Sequence, residues 1–361
     1  RKLFDLHNSN AGTIAMGGGK GLNKTLAYIK IALKQTSPSK EKETKLYQLI
    51  EQVNPDRVLY NSKTVYPIIW EYKNRGKTIF LSPFPYLHYV EGHSLLVFRK
   101  NYGEHFNKLT FKLYDFGAAR VALTTKKWLQ IKDKITRKEL KQIVRSRKFI
   151  YTISPLLFIR PDYWENNIKI LGHHAIKKKI RWEPEKELSE FIHKNEKLLF
   201  VTFGSMPNPE PEGKTQIVLD ILERNKIPAI INTASGGLVK PDKFNSDLIY
   251  FVSQIPYDWI FPKMYAIMHH GGSGTTHLAL KYGCASLIIP HFIDQFVWND
   301  IISEMGLGPK GIRISKITRK NLEPKVLELL SNKSFKERSE EFATQMGKED
   351  YKEKLYKAII E

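Results

Sequence analysis

The chain alternates short runs of apolar, β-branched residues with longer stretches of helical spacing, and it does so twice. In the first half, DRVLYN (residues 56–61), KTIFLS (77–82), RKFIYTISPLLF (147–158) and NIKILG (167–172) are predicted strands. The helix-like TVYPIIWEYKNRG separates the first two and ends at Gly76. From Gly172 to Asn195 the texture turns polar, with one short amphipathic stretch and no further core pattern. A second alternating series follows, with predicted strands in KLLFVTFGS, IPAIINTASGG, DLIYFVSQIP, YAIMHHGGSG and ASLIIPHF; the last stretch, from Arg319 onward, is helical and charged. Such alternation predicts an α/β fold with parallel sheets. The expected organisation is an N-terminal domain over residues 1–172, a linker region over 173–195, a second α/β domain over 196–345 and a C-terminal helix over 346–361.

Composition agrees with two domains: 361 residues with 42% hydrophobic content can bury substantial cores. The single cysteine, Cys284, excludes an intrachain disulfide and cysteine-only metal sites, and it suits a reducing compartment. No apolar run approaches the roughly 20 residues of a membrane helix. No secretory signal opens the chain, which begins at Arg1. A cytoplasmic location, peripheral at a membrane, is the expectation. The formal charge of +21 calls for an anionic partner. Most lysines are mixed with acids at helical spacing, as on solvated helix faces; residues Lys127 to Lys148 are the densest candidate for an anionic membrane surface. Zinc-finger spacing and RNA-binding aromatic motifs are missing, so nucleic acid is not an expected partner.

Candidate chemistry gathers at the ends of the second series of strands. Gly204 and Ser205 follow the first, Ser235 to Gly237 the second, His269 to Thr275 the fourth, and Asp294 with Gln295 the fifth. Each alone reads as an ordinary turn or cap. Together they occupy the carboxyl ends of parallel strands, where α/β folds bind ligands. Glycines at 272 and 274 let a phosphate approach the backbone, Ser273 and Thr275 open a helix whose dipole favours an anion, and His270 supplies a ring donor. Asp294 and Gln295 suit vicinal hydroxyls. Phosphate on one side and hydroxyls on the other describe a nucleotide sugar.

Competing motifs fail. In AMGGGKGLNKT, Lys20 is followed by Gly21 rather than Ser or Thr, so this is no P-loop. His277 stands where a dinucleotide fingerprint needs its third glycine, and it is expected on the helix surface. There is no Asp-x-Asp pair, and the adjacent His269 and His270 point apart, so no metal and no cofactor beyond the co-substrate is expected.

The stretch PYDWIFPKMYAIMHHGGSGTTHLALKYGCASLIIPHFIDQFVWND resembles the donor-site signature of the UDP-glycosyltransferases, in particular their sterol and macrolide branch. LFVTFGSM and AIINTASGGL resemble the family's preceding elements, while NPDRVLYN and TIFLSPFPYLHYVEGH resemble it loosely. The resemblance implies a GT-B fold, two facing Rossmann-like domains with a C-terminal helix crossing back to the first, whose first strand and loop would here be missing. It implies that Gly204 and Ser205 lie near the diphosphate and nucleoside and that Ile255 contacts the base. His270, Gly272, Ser273, Gly274 and Thr275 would hold the diphosphate; Asp294 and Gln295 would hold the sugar. Gln254, Leu278 and Tyr257 depart from the family's usual residues for uracil stacking, ribose binding and the sterol-branch histidine. Uridine is expected, with thymidine as the alternative.

The implied reaction is an inverting, metal-independent transfer of a hexose from a UDP-sugar to a hydroxyl of a lipophilic acceptor such as a sterol, a polyketide or another lipid-like alcohol. SPFPYLHYVEGHSLLVF and FNKLTFKLYDFGAARVAL either line the acceptor pocket or form ordinary core. In the family the general base follows the first N-terminal strand; it is therefore expected several tens of residues upstream of Arg1, with His88 or His93 as fallback. Two other classes stay open, a catalytically inactive nucleotide-sugar-binding protein and a basic membrane or nucleic-acid binding module.

Overall fold

The computed structural model describes residues 39–98, 100–174, 182–208, 210–234 and 236–361. They form two compact units, one from residue 39 to His174 together with Glu349–Glu361, the other up to Lys348.

The first unit carries a parallel sheet of β1 (Val58–Tyr60), β2 (Thr78–Ser82), β3 (Lys148–Tyr151) and β4 (Ile168–Ile170), in that spatial order. Aromatic rings run across it, Tyr60 edge-on to Phe80 at 5.1 Å and Phe80 stacked on Phe149 at 4.8 Å. The buried guanidinium of Arg147 lies 4.2 Å from the Phe80 centroid and donates to the hydroxyls of Tyr60 and Tyr114. Two helices follow β2 in the chain, Glu104–Trp128 and Arg137–Ser146. The second starts in a capping box, where Thr136 Oγ1 accepts from Glu139 N–H and the Glu139 carboxylate accepts from Thr136 N–H, and it buries Leu140, Ile143 and Val144. The last helix, Lys352–Ile360, adds Ala358 to a cluster with Ile79, Ile150 and Leu171.

The second unit carries β5 (Leu199–Thr202), β6 (Ala229–Asn232), β7 (Ile249–Val252), β8 (Ala266–His269) and β9 (Ala285–Ile288), all parallel, in the order β7-β6-β5-β8-β9. Four of these strands are buried end to end, which explains their unbroken apolar runs: both faces are covered. Leu199, Val201, Ile231, Met268 and Leu287 pack on one side with Val218, Leu222, Leu322 and Val326. Phe200, Ile230 and Ile267 pack on the other with Leu188, Phe191, Ile260 and Phe261. Leu188 and Phe191 come from the helix Lys186–Lys194, so the amphipathic part of the polar region 173–195 serves as core cover. In both units the predicted strands are present, each trimmed at its ends. The helix expected over residues 64–76 is regular only over Tyr66–Trp70.

The order of the second sheet reverses at its centre. From β5 the chain steps outward to β6 and β7, then returns to β8 on the other side of β5 and steps to β9. Right-handed crossovers send the connections on either side of such a reversal to opposite faces, which opens a crevice at the carboxyl ends of the central pair. Here that pair is β5 and β8, in register with Thr202 opposite His269.

Candidate functional site

The turns leaving β5 and β8 meet around one imidazole. Gly204 has φ of +56°, and a Cβ built on it would lie 2.7 Å from His270 Cε1. A Cβ on Gly272 would lie 2.5 Å from His270 Nε2. The ring is thus clamped between two stretches of backbone that only glycine allows. His270 is buried, its Nδ1 has no hydrogen-bond partner, and burial pulls its pKa down to about 4, so it is neutral at pH 7. His269 is fully buried; its Nδ1 accepts from Gly271 N–H at 3.1 Å, which puts the ring proton on Nε2, and that atom too is unpartnered.

The helix Ser273–Lys281 starts directly after this clamp. Its N-cap, Gly272, provides no side-chain cap, and the first N–H bonded back into the turn is Thr276 to Gly272 C=O at 2.9 Å. The N–H groups of Ser273, Gly274 and Thr275 therefore have no intrahelical acceptor. Space in front of them is open, since a Cβ on Gly274 would meet nothing within 4 Å. The Ser273 hydroxyl turns inward, 3.4 Å from His277 Nδ1, so Ser273 offers its N–H rather than its side chain. Thr275 is half-buried at the turn.

Three expectations are corrected or narrowed here. His277 is not on the helix surface; it is fully buried, with Nδ1 2.7 Å from the Ser273 carbonyl and its ring edge-on to Trp298. The helix is covered by its neighbours Ile293–Glu304 and Lys333–Met346, which leaves it no free face at that position. Gln295 is buried, and its Oε1 accepts from the N–H groups of His291 (2.8 Å) and Phe292 (3.0 Å). Its amide oxygen thus closes the start of the helix Ile293–Glu304. Asp294 beside it is half-buried and makes no such cap; burial raises its pKa to about 6. Ser235 lies outside the described residues, as does the near-P-loop at residues 17–21.

Other predicted residues take their places on the rim. Gly204 N–H donates to Thr202 Oγ1 at 3.1 Å, and Ser205 is exposed. Ile255 is buried just beyond β7. Tyr257 ties strand ends together: its hydroxyl is 2.9 Å from Thr202 Oγ1 and accepts from Asn232 Nδ2 at 3.4 Å, while its ring stacks on Phe261 at 4.7 Å. His291 was not foreseen. Its Nδ1 donates to the Ile289 carbonyl at 2.8 Å, leaving Nε2 a bare, buried and unpartnered acceptor, and its ring stands edge-on to Phe203 at 5.0 Å. Burial and the neighbouring His270 lower its pKa to about 3. The signal was available, a polar ring at a strand end in ASLIIPHF, but proline and phenylalanine around it read as core.

The two fallback bases belong to the first unit. His88 Nδ1 is 2.8 Å from the Tyr151 hydroxyl, its ring packs on Phe149, and burial together with the Arg147 charge pulls its pKa down to about 3. His93 is exposed, stacked on Tyr86 at 4.3 Å with Nδ1 2.9 Å from the Glu91 carbonyl.

A family model described as erythromycin biosynthesis protein CIII-like, C-terminal domain, matches residues 243–361. A sterol 3-beta-glucosyltransferase of Arabidopsis thaliana is 36% identical over 202 residues, 55% of this chain and 31% of that protein. Another, of Vanderwaltozyma polyspora, is 28% identical over 271 residues, 72% of this chain and 22% of that one. The chain spans a third or less of the length of these relatives. Among solved structures, the glycotransferase of kitacinnamycin superposes with a TM-score of 0.62 at 13% identity, over 91% of this chain and 79% of that one. A UDP-glucose:anthocyanidin 3-O-glucosyltransferase in complex with UDP gives 0.59 at 13% identity, over 88% and 77%. At such identity these structures speak for the fold, which is GT-B. The sequence matches make the chain similar, across its donor turn, to the sterol and macrolide branch of the UDP-glycosyltransferases.

Proposed function

We propose that the protein transfers a hexose from a UDP-sugar to a hydroxyl of a lipophilic acceptor, a sterol, polyketide or similar alcohol, with inversion and without a metal ion. The observation that carries this reading is the clamped, neutral His270 beside three free N–H groups at the start of the helix Ser273–Lys281. Leaving-group charge grows on the diphosphate as the bond from the anomeric carbon to phosphate oxygen breaks and the bond to the acceptor oxygen forms. Donors already aimed at that charge lower the barrier without reorganising. The acceptor's proton passes to a general base. Of the two histidines considered, His93 is better suited, because His88 is engaged with Tyr151. Asp294 orients the sugar hydroxyls, and Ile255 borders the base. No helix of the described residues is long and apolar enough to cross a membrane, and the reading places the protein on the cytoplasmic side of an anionic membrane surface.

The test is calorimetric first and chemical second. UDP should raise the melting temperature, and UDP should be released from a UDP-sugar when a lipophilic alcohol is supplied in the presence of EDTA. Stabilisation without release would reduce the protein to a nucleotide-sugar binder; neither response would reject the donor site.

A further inference from the structure

The helix Glu104–Trp128 is anchored on one stripe and bare on another. Asn107, Phe111, Ala119, Ala122 and Thr125 are buried. Phe106, Leu109, Leu113 and Phe116, spaced by three and four residues, form a different stripe and are exposed by 67%, 45%, 52% and 38%. The same stripe then carries Arg120 and Lys127, both exposed. It is therefore apolar over its first half and basic over its second. Arg137, from the neighbouring helix, stands 4.7 Å over the Phe116 ring, and Tyr102, also exposed, extends the apolar end. The two acids of this helix are neutralised, Glu104 by Lys108 and Asp115 by Arg145.

An exposed apolar stripe of this length marks a contact surface, and its charge pattern selects the partner. A second copy would set +21 against +21, and packed stripe to stripe it would bring Arg120 and Lys127 against the same cations, since the helix's own two acids are already paired. A bilayer containing anionic lipid supplies both halves at once, acyl boundary for the phenylalanines and leucines and headgroup phosphate for the cations. We infer that this helix docks the protein onto an anionic membrane through the Phe106–Phe116 stripe, with Arg120 and Lys127 at the headgroups. The region from Lys127 to Lys148, the densest in charge, adds cations but no apolar contact, because the helix Arg137–Ser146 turns Leu140, Ile143 and Val144 inward. The inference rests on the lipophilic-acceptor reading for its purpose, not for its evidence.

The test is sedimentation of the whole chain with vesicles of phosphatidylcholine alone or mixed with an equal part of phosphatidylserine, without donor or acceptor, so that it can fail while UDP binding stands. The expected result is binding to the mixed vesicles only, weakened tenfold or more by the double substitution Phe106→Ser/Leu113→Ser. Arg120→Glu/Lys127→Glu should weaken it about fivefold or more for each residue changed, in low salt. Lys320→Glu/Lys348→Glu, with the same change of net charge on the other unit, should leave it unaltered. Three results would overturn the proposal: binding indifferent to the apolar double substitution, a fall in melting temperature of several degrees on that substitution, or a concentration-dependent dimer that it dissolves. The second would mean that the stripe is covered from within the protein, the third that a second copy covers it.

Discussion

The two parallel sheets differ in one respect that matters more than their sizes. In the first unit the described strands step steadily in one direction, β1 to β4; in the second the order turns back between β5 and β8. A steady order gives no place where neighbouring connections diverge, whereas a reversal does so by geometry alone. The second unit consequently brings two glycine turns together at the carboxyl ends of β5 and β8, around His270. The first, over its described residues, presents an aromatic core around Arg147 and an exposed apolar helix. The turns proposed to hold the donor thus all lie in one unit.

The largest test of this contrast is His270→Ala, which should lower sugar transfer by roughly two to three orders of magnitude, the scale of losing a preorganised donor. Near-normal turnover would mean that the reversal is not where catalysis happens. Next come the glycines. Gly272→Ala forces a Cβ against His270 and should weaken UDP binding by more than tenfold. Gly274→Ala meets nothing in the protein and should stabilise the helix by about 0.5–1 kcal/mol while still reducing UDP affinity, because the methyl occupies the phosphate's approach. Calorimetry with UDP separates the two; a Gly274→Ala protein that gains stability and keeps its affinity would move the diphosphate elsewhere. Gly92→Ala, in the first unit, should leave UDP binding unchanged.

Acid should also tell the units apart. His269, His270 and His291 are held neutral with pKa values lowered to about 3, 4 and 3, and in the first unit His88 is lowered to about 3. Below the ordinary value near 6.5 the unfolded chain takes up protons that the folded chain refuses. Stability is therefore complete above that pH and is lost as pH falls toward the folded values, by about 2–3 kcal/mol per histidine at about pH 4.5. Pulse proteolysis at descending pH should cut the second unit first; simultaneous loss would mean that bound water or local opening relieves the buried rings. The smallest effect concerns Asp294. With its pKa raised to about 6, its carboxylate is lost as pH falls through that value. The extra affinity of a UDP-sugar over UDP should then drop a few-fold between pH 7 and pH 5, and Asp294→Asn should remove the step.

Where local pattern and burial agree, the sequence was easy to read. The strands of the second sheet are apolar throughout because both faces are covered, and glycines 204, 272 and 274 announced a turn with backbone exposed to a ligand. Misreadings came where tertiary cover reverses a local rule. His277 sits one turn beyond the helix start, a position that looks solvated until Trp298 is laid over it. Gln295 has a second task that the sequence did not announce, since its amide oxygen accepts from two backbone N–H groups. In the helix Glu104–Trp128, Asn107 and Thr125 are inside while Phe106 and Leu113 are outside, so hydrophobicity alone assigns the wrong face to the core.

Residues Glu349–Glu361 follow the whole second unit along the chain yet belong to the first: Glu349 accepts from the Ser154 hydroxyl at 2.5 Å, and Ala358 packs with Ile79, Ile150 and Leu171. A ribosome must release the whole second unit before the first can close its core. A chain cut after Lys348 would keep every strand of the second unit and nonetheless lose side chains that pack in the first.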